Sequence, residues 1–138
     1  MNNLKEAINY LSALIDNVVE ETMNQFDFND LTHQQLRYLR VIVRMKNPSI
    51  SELATELKLT KPTVTVLVDK LTAKGYVKRV QSDKDKRSQH LHLAKKGMKI
   101  NTIMEIAHER MAKILRSGLS ETETAILIKL LRKTVRCN

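Results

Sequence analysis

Between residues 61 and 99 the sequence sets eleven lysines and arginines against three carboxylates, and that imbalance is the first chemistry the chain offers. The cations are Lys61, Lys70, Lys74, Lys78, Arg79, Lys84, Lys86, Arg87, Lys95, Lys96 and Lys99; the acids are Asp69, Asp83 and Asp85. This stretch holds +8 of the +9 formal charge, so the rest of the chain is nearly neutral. Positive charge gathered in one segment points to a polyanion partner, with a merely solvated basic face as the alternative. Threonines at 63 and 65 lie inside the segment and can exchange hydrogen bonds with bases or phosphates.

Covalent chemistry finds little support. Glycine occurs only at 75, 97 and 118, so no glycine-rich phosphate loop can be built. There is no His-Glu-x-x-His pair and no nucleophile-elbow motif. His33, His90, His92 and His108 are scattered, and Cys137 is a lone thiol near the end of the sequence. The expectation is therefore a protein without catalytic residues, metal or cofactor. No basic-then-apolar leader and no apolar run of about 18 residues is present, so the expected setting is cytoplasmic, away from membranes.

The elements that must position these groups read from periodicity and punctuation. With 138 residues the chain is the size of one ordinary domain. Aromatic residues are scarce and tryptophan is absent, so Leu, Ile, Val, Ala and Met must build the core, a mixture that suits helices. Leu4, Ile8, Leu11, Ile15 and Val18 give a first helix to about Gln25. Thr32 and Gln35 have capping-box spacing and open a second, which Asn47-Pro48 ends. Ser49 and Glu52 repeat the capping box before a short helix, Ile50 to about Leu57. Thr60 caps a fourth helix; Pro62 is tolerated in its first turn, and its apolar stripe of Val64, Leu67, Val68 and Leu71 runs to the stop at Gly75. The period then shortens to about 2. Tyr76 to Gln81 and Gln89 to Leu93 read as two strands around a polar loop, with Leu91 and Leu93 inward and His90 and His92 outward. A long helix follows, its apolar face running from Ile100 through Ile103, Met104, Ala107, Met111 and Ile114 to Leu115, and Gly118 stops it. Ser120 and Glu123 cap a last helix lined by Ile126, Leu127, Leu130 and Leu131.

The fold expected is mainly α with a small β-hairpin wing: a winged helix-turn-helix of about six helices. The chain reads as a single domain spanning 1–138. A B-DNA major groove just admits an α-helix. In the helix after Thr60 the apolar stripe is buried, which leaves Lys61, Pro62, Thr63, Thr65, Val66 and Asp69 on the open side. Val66 and the threonine methyls suit thymine methyls. Lys84, Lys86 and Arg87 make a cationic hairpin tip suited to a narrow minor groove.

These residues resemble the MarR family, the multiple-antibiotic-resistance-type regulators, over nearly the whole chain. Ile50-Ser51-Glu52-Leu53-Ala54, Leu59-Thr60-Lys61-Pro62-Thr63-Val64-Thr65, Leu67-Val68-Asp69-Lys70-Leu71 and Lys74-Gly75-Tyr76-Val77-Lys78-Arg79 are similar to its reader region. Asp83-Lys84-Asp85-Lys86-Arg87-Ser88 is similar to its wing motif, and Leu91-His92-Leu93-Ala94-Lys95-Lys96-Gly97 to the segment that follows. The resemblance implies a homodimer held by the first and last two helices, with a helical dimerisation region drawn from both termini (residues 1–30 and 98–138) and residues 31–97 as the DNA-binding lobe. The function expected on that basis is a repressor on a pseudo-palindromic double-stranded DNA operator, released by a small aromatic or other effector. The DNA-contact set would be Ser51, Thr60, Lys61, Pro62, Thr63, Thr65, Val66, Lys70, Arg79, Lys84, Asp85, Lys86 and Arg87, with Asp85 orienting Arg87. An effector pocket between the dimer helices and the DNA-binding lobe would draw on Tyr10, Leu14, Phe26, His33, Arg37, Met104 and His108, with Phe28 and Met111 as further candidates.

Three departures from the family pattern carry expectations. Val66 stands where arginine is frequent, which predicts base or phosphate contacts there that are weaker or more thymine-directed. Lys58 replaces the usual turn glycine, which predicts a strained or different turn. Ala94 replaces a threonine cap of the long helix. The rival readings are a low-specificity DNA-packaging protein and a metal- or effector-sensing protein, the latter with His33, His108, Glu20 or Glu21 as zinc ligands.

Overall fold

Local chemistry at the helix ends decides where each element of the computed structural model starts and stops; it describes residues 3–82, 84 and 88–135. In order they are α1 (Leu4–Gln25), α2 (His33–Met45), α3 (Ile50–Leu57), α4 (Lys61–Ala73), β1 (Val77–Gln81), β2 (Gln89–Leu93), α5 (Lys95–Ser117) and α6 (Glu121–Thr134). Among the described residues six helices and one two-stranded antiparallel hairpin make this the mainly helical winged fold the sequence predicts.

Thr32 caps α2 with both halves of the box: its hydroxyl accepts from Gln35 N (3.1 Å), and the Gln35 side chain accepts from Thr32 N (3.2 Å). Ser120 and Glu123 repeat that reciprocity at α6 (3.1 and 2.8 Å). At α3 only one half of the expected box forms, Glu52 N donating to Ser49 Oγ at 3.1 Å. The chain entering α3 is engaged with β2 instead. Leu91 N donates to Pro48 O (2.8 Å), and Ser49 makes a single antiparallel bridge with His90, a third rung that alternation in the sequence did not predict.

Two helices end in the same motif with different residues. After α4, Gly75 takes φ +83°, with Gly75 N donating to Thr72 O and Tyr76 N to Leu71 O, both at 3.0 Å. After α3, Lys58 takes φ +55°, with Lys58 N donating to Thr55 O (3.2 Å) and Leu59 N to Ala54 O (3.0 Å). Both are Schellman closures. The turn is therefore the ordinary glycine-type one, and a lysine adopts its left-handed conformation.

The chain divides into two compact units, Phe26–Ile103 and the paired segments Met1–Gln25 and Met104–Asn138. In the first unit Leu39, Ile42, Leu53, Val64, Val68, Leu71, Tyr76, Val77, Leu91 and Ile100 are all essentially inaccessible. The hairpin pairs Val77 with Leu93, Arg79 with Leu91 and Gln81 with Gln89. Val77 and Leu91 turn inward. The start of α5 lies so close to the chain before β1 that a Cβ on Gly97 would sit 2.1 Å from the Tyr76 carbonyl oxygen. That same oxygen accepts from Ala94 N at 2.9 Å.

In the second unit α1 buries Val18, Val19, Thr22 and Met23. Arg110 of α5 ties to α1 through Thr22 Oγ1 (3.1 Å) and Gln25 Oε1 (2.6 Å). The expected apolar stripes are only partly covered. Leu4, Ile8 and Leu11 of α1, Ile114 of α5 and Ile126, Leu130 and Leu131 of α6 are all exposed, and α6 buries no residue.

Candidate nucleic-acid interface

The open side of α4 follows from what the helix buries. Val64, Val68 and Leu71 are 0% exposed, which fixes the opposite side toward solvent. Lys61, Pro62, Thr63, Val66 and Lys70 are exposed there, and Thr65 is half-buried. Val66 is 55% exposed and sets one apolar side chain among the polar ones of that side. Ser51 is exposed in the first turn of α3.

The hydroxyls are partly committed within the protein. Thr60 and Thr63 share a hydrogen bond between their Oγ1 atoms (2.8 Å), and Thr60 Oγ1 also accepts from Thr63 N (3.4 Å). Thr65 Oγ1 donates to Lys61 O (2.9 Å). Thr65 therefore presents acceptor lone pairs outward rather than a free donor. An open cleft of about 320 Å³ runs between the start of α2 and the open side of α4, with Gln35, Tyr38, Thr63, Val66, Leu67 and Lys70 in its lining.

On the hairpin, Arg79 does not stand free. Its Nη2 lies 2.6 Å from Asp69 Oδ1 of α4. Lys84 is exposed, its N–H donating to Ser82 Oγ at 3.3 Å, and Ser82 N donates to Ser88 O at 2.9 Å. Asp85, Lys86 and Arg87, the expected hairpin tip, lie outside the described residues, as do Asp83 and Cys137.

A cluster the sequence did not announce lies in the same unit. Tyr76 Oη donates to Asp30 Oδ1 (2.5 Å), and Lys96 Nζ sits 2.8 Å from Asp30 Oδ2. Lys74 Nζ donates to the Asp30 carbonyl and to Gln35 Oε1 (2.8 Å). Lys96 lies over the rings of Tyr76 (4.7 Å) and Phe28 (5.8 Å). Burial pushes the Asp30 carboxyl up, but hydrogen bonds from Lys96 and Tyr76 and the Lys96 charge together hold it below its ordinary value. Burial, followed by the Asp30 hydrogen bond and charge, pushes the Tyr76 phenol well above its ordinary value. The cluster joins the loop before α2, the end of α4 and the start of α5. Asp30 and Lys96 lie 66 residues apart, so no local spacing reveals the cluster.

The expected effector residues divide between the two units. Phe26 (41% exposed), His33 and Arg37 belong to the first, with Arg37 5.7 Å over the Tyr38 ring. Phe28 is 8% exposed and packs on Tyr76 and Lys96, so it is core there rather than a pocket wall. In the second unit Tyr10 is exposed and bonds Glu6 (3.3 Å), Leu14 and Met111 are half-buried, Met104 is buried and His108 is exposed. Among the described residues no three metal-ligating side chains gather, and no helix is long and apolar enough to cross a membrane.

Residues 29–88, from the loop before α2 through the hairpin, match the MarR family. The uncharacterised HTH-type transcriptional regulator YybA of Bacillus subtilis is 22% identical over 135 residues, which cover 96% of this chain and 87% of YybA. Among solved structures, FabT of Streptococcus pneumoniae in complex with DNA superposes with a TM-score of 0.70 at 32% identity, covering 95% of this chain and 94% of FabT. The apo form of wild-type MarR from E. coli gives 0.71 at 23% identity, covering 99% and 98%.

Proposed function

The chain belongs to the MarR family, and on that premise we propose that it is a sequence-specific double-stranded DNA-binding transcriptional regulator, a homodimer that represses until a small-molecule effector releases it. The observation that carries the DNA reading is the two-sidedness of α4. Its buried stripe orients the helix, and Lys61, Thr63, Val66 and Lys70 are left along the free side of the most basic part of the chain. In this reading Ser51, Thr60, Lys61, Pro62, Thr63, Thr65, Val66 and Lys70 meet the major groove and its flanking phosphates. Lys84, Lys86 and Arg87 meet the adjacent minor groove, with Asp85 orienting Arg87.

The DNA-binding lobe is assigned to 31–97 and the dimerisation region to 1–30 and 98–138. The uncovered leucines and isoleucines of α1 and α6 support a second copy of the chain as the surface that covers them. Two reader helices on a two-fold axis call for half-sites about 34 Å apart, one helical turn.

Selection from random duplexes with the purified protein, followed by footprinting, tests this. The expected result is a pseudo-palindrome bound with an affinity that falls steeply as salt rises. Equal binding to every duplex would favour the packaging reading, and a flat salt response would remove DNA as the partner. Titrating candidate effectors against the selected duplex tests release.

A further inference from the structure

Asp69 is a carboxylate on the open side of a helix assigned to a polyanion's groove, where it should repel phosphate. It is the one acid in α4, and its helical neighbours at 65, 66, 72 and 73 are Thr, Val, Thr and Ala, so no cation on its own helix balances it. Its partner comes from another element. Arg79 stands in register with Leu91 on β2, on the hairpin face that also carries buried Val77, and its guanidinium reaches Asp69 at 2.6 Å. That face is turned toward the protein, so the guanidinium is directed at α4.

The backbone between the two elements explains what the contact can do. Only Lys74, Gly75 and Tyr76 separate α4 from β1, and Gly75 sits at φ +83° in a residue that tolerates many backbone angles. Tyr76 and Val77 anchor the near end of β1 in the core. Asp69 and Arg79 span the joint further out, between the middle of the helix and the middle of the strand. We infer that this pair is a brace setting the hairpin on the reader helix, so that Arg79 is a positioning residue for DNA recognition rather than a phosphate contact. The inference rests on the DNA-binding reading above and changes the role that the sequence suggested for Arg79. A paired guanidinium and carboxylate also add no net charge at the interface, so the pair is nearly silent in non-specific binding.

The test is a salt titration of the full-length protein on its selected duplex and on a random-sequence duplex, comparing wild type, Asp69→Asn/Arg79→Gln and Asp69→Glu. The double variant keeps the net charge. A brace predicts that it loses on the order of tenfold on the selected duplex, with unchanged salt slope and unchanged random-duplex affinity. Asp69→Glu, which keeps the ion pair, should stay near wild type. A phosphate contact predicts a slope flatter by about 0.9 per protomer and equal losses on both duplexes, and that result overturns the inference. An unaltered double variant overturns it as well. Thermal melts of the variants separate misfolding from lost recognition, and Arg79→Lys provides a milder change read the same way should the double variant melt early. Wild type that shows no duplex preference or salt dependence defeats the DNA reading itself, a result distinct from either slope outcome.

Discussion

The two units of this chain solve the problem of surface in opposite ways. By sequence, Phe26–Ile103 carries sixteen lysines and arginines against seven acids, whereas the paired terminal segments carry eight against eight. The charged unit closes its own core: Leu39, Leu53, Val64, Val68, Leu71, Tyr76 and Leu91 are 0% exposed. The neutral unit leaves Leu4, Ile8, Ile126, Leu130 and Leu131 between 46% and 77% exposed. A closed core with a basic exterior is suited to a partner that is itself charged and wet. An uncovered apolar helix face, with no net charge to keep copies apart, is suited to a partner of the same kind.

The contrast breaks or holds on a pair of core substitutions. Leu53→Ala removes a fully buried side chain from the charged unit and should cost about 2–5 kcal/mol, seen as a melting temperature lowered at every protein concentration while its rise with concentration is kept. Leu130→Asp, on the uncovered face of α6, should instead lower the melting temperature in proportion to lost self-association. The wild-type melt should then rise with protein concentration while the variant's does not, and sedimentation should show monomers. If Leu53→Ala is the one that loses the concentration dependence, the division of labour between the units is wrong.

Gly97→Ala sharpens the claim that the charged unit is closed without slack. The added methyl would meet the Tyr76 carbonyl oxygen at 2.1 Å, and backbone must shift to admit it. The expected loss is about 1–3 kcal/mol. A neutral result by denaturant titration would mean that the start of α5 can move away from the hairpin freely.

A smaller effect should follow pH, through the Asp30–Tyr76–Lys96 cluster. Asp30 is held below its ordinary value, so its contribution is complete above about pH 5 and fades as pH falls through its lowered folded-state value. Tyr76 is raised, so its contribution holds below about pH 10 and is lost as pH rises toward the folded-state value. Asp30→Asn should cost roughly 1 kcal/mol at neutral pH, since the carboxylate is partly exposed and its pairing screened. It should also flatten the acid limb of stability against pH. An unchanged acid limb would show that other carboxylates dominate it.

How much of this was legible in the sequence depended on distance along the chain. The caps at Thr32, Thr60 and Ser120 and the limits of α3 and β2 were readable because each is decided within about four residues. The stripe of α4 was equally local, and it is what placed Lys61, Thr63, Val66 and Lys70 on the free side. Three features were not readable: the Asp30–Tyr76–Lys96 cluster, the Asp69–Arg79 pair and the bridge from Ser49 to His90. All of these join elements that meet only after folding. The stripes of α1 and α6 were correctly read as apolar, but periodicity marks a face as apolar without saying what covers it.

The smallest effect concerns one residue. Lys58 and Gly75 occupy the same position of the same helix-closing motif, and the left-handed backbone costs a side-chain-bearing residue about 1 kcal/mol that glycine avoids. Glycine also gains freedom in the unfolded chain, which offsets part of that relief. Lys58→Gly should therefore stabilise the protein by only about 0.5 kcal/mol, a small rise in denaturation midpoint with unchanged slope. Lys58 is exposed at the turn leading into α4, so the same change removes one cation from the charged unit's surface. If that cation serves DNA, the salt slope on the selected duplex will fall as stability rises. A lysine kept in a glycine position would then reflect binding at the expense of folding. If the slope does not move, Lys58 is simply strained, and the positive surface that matters begins at Lys61.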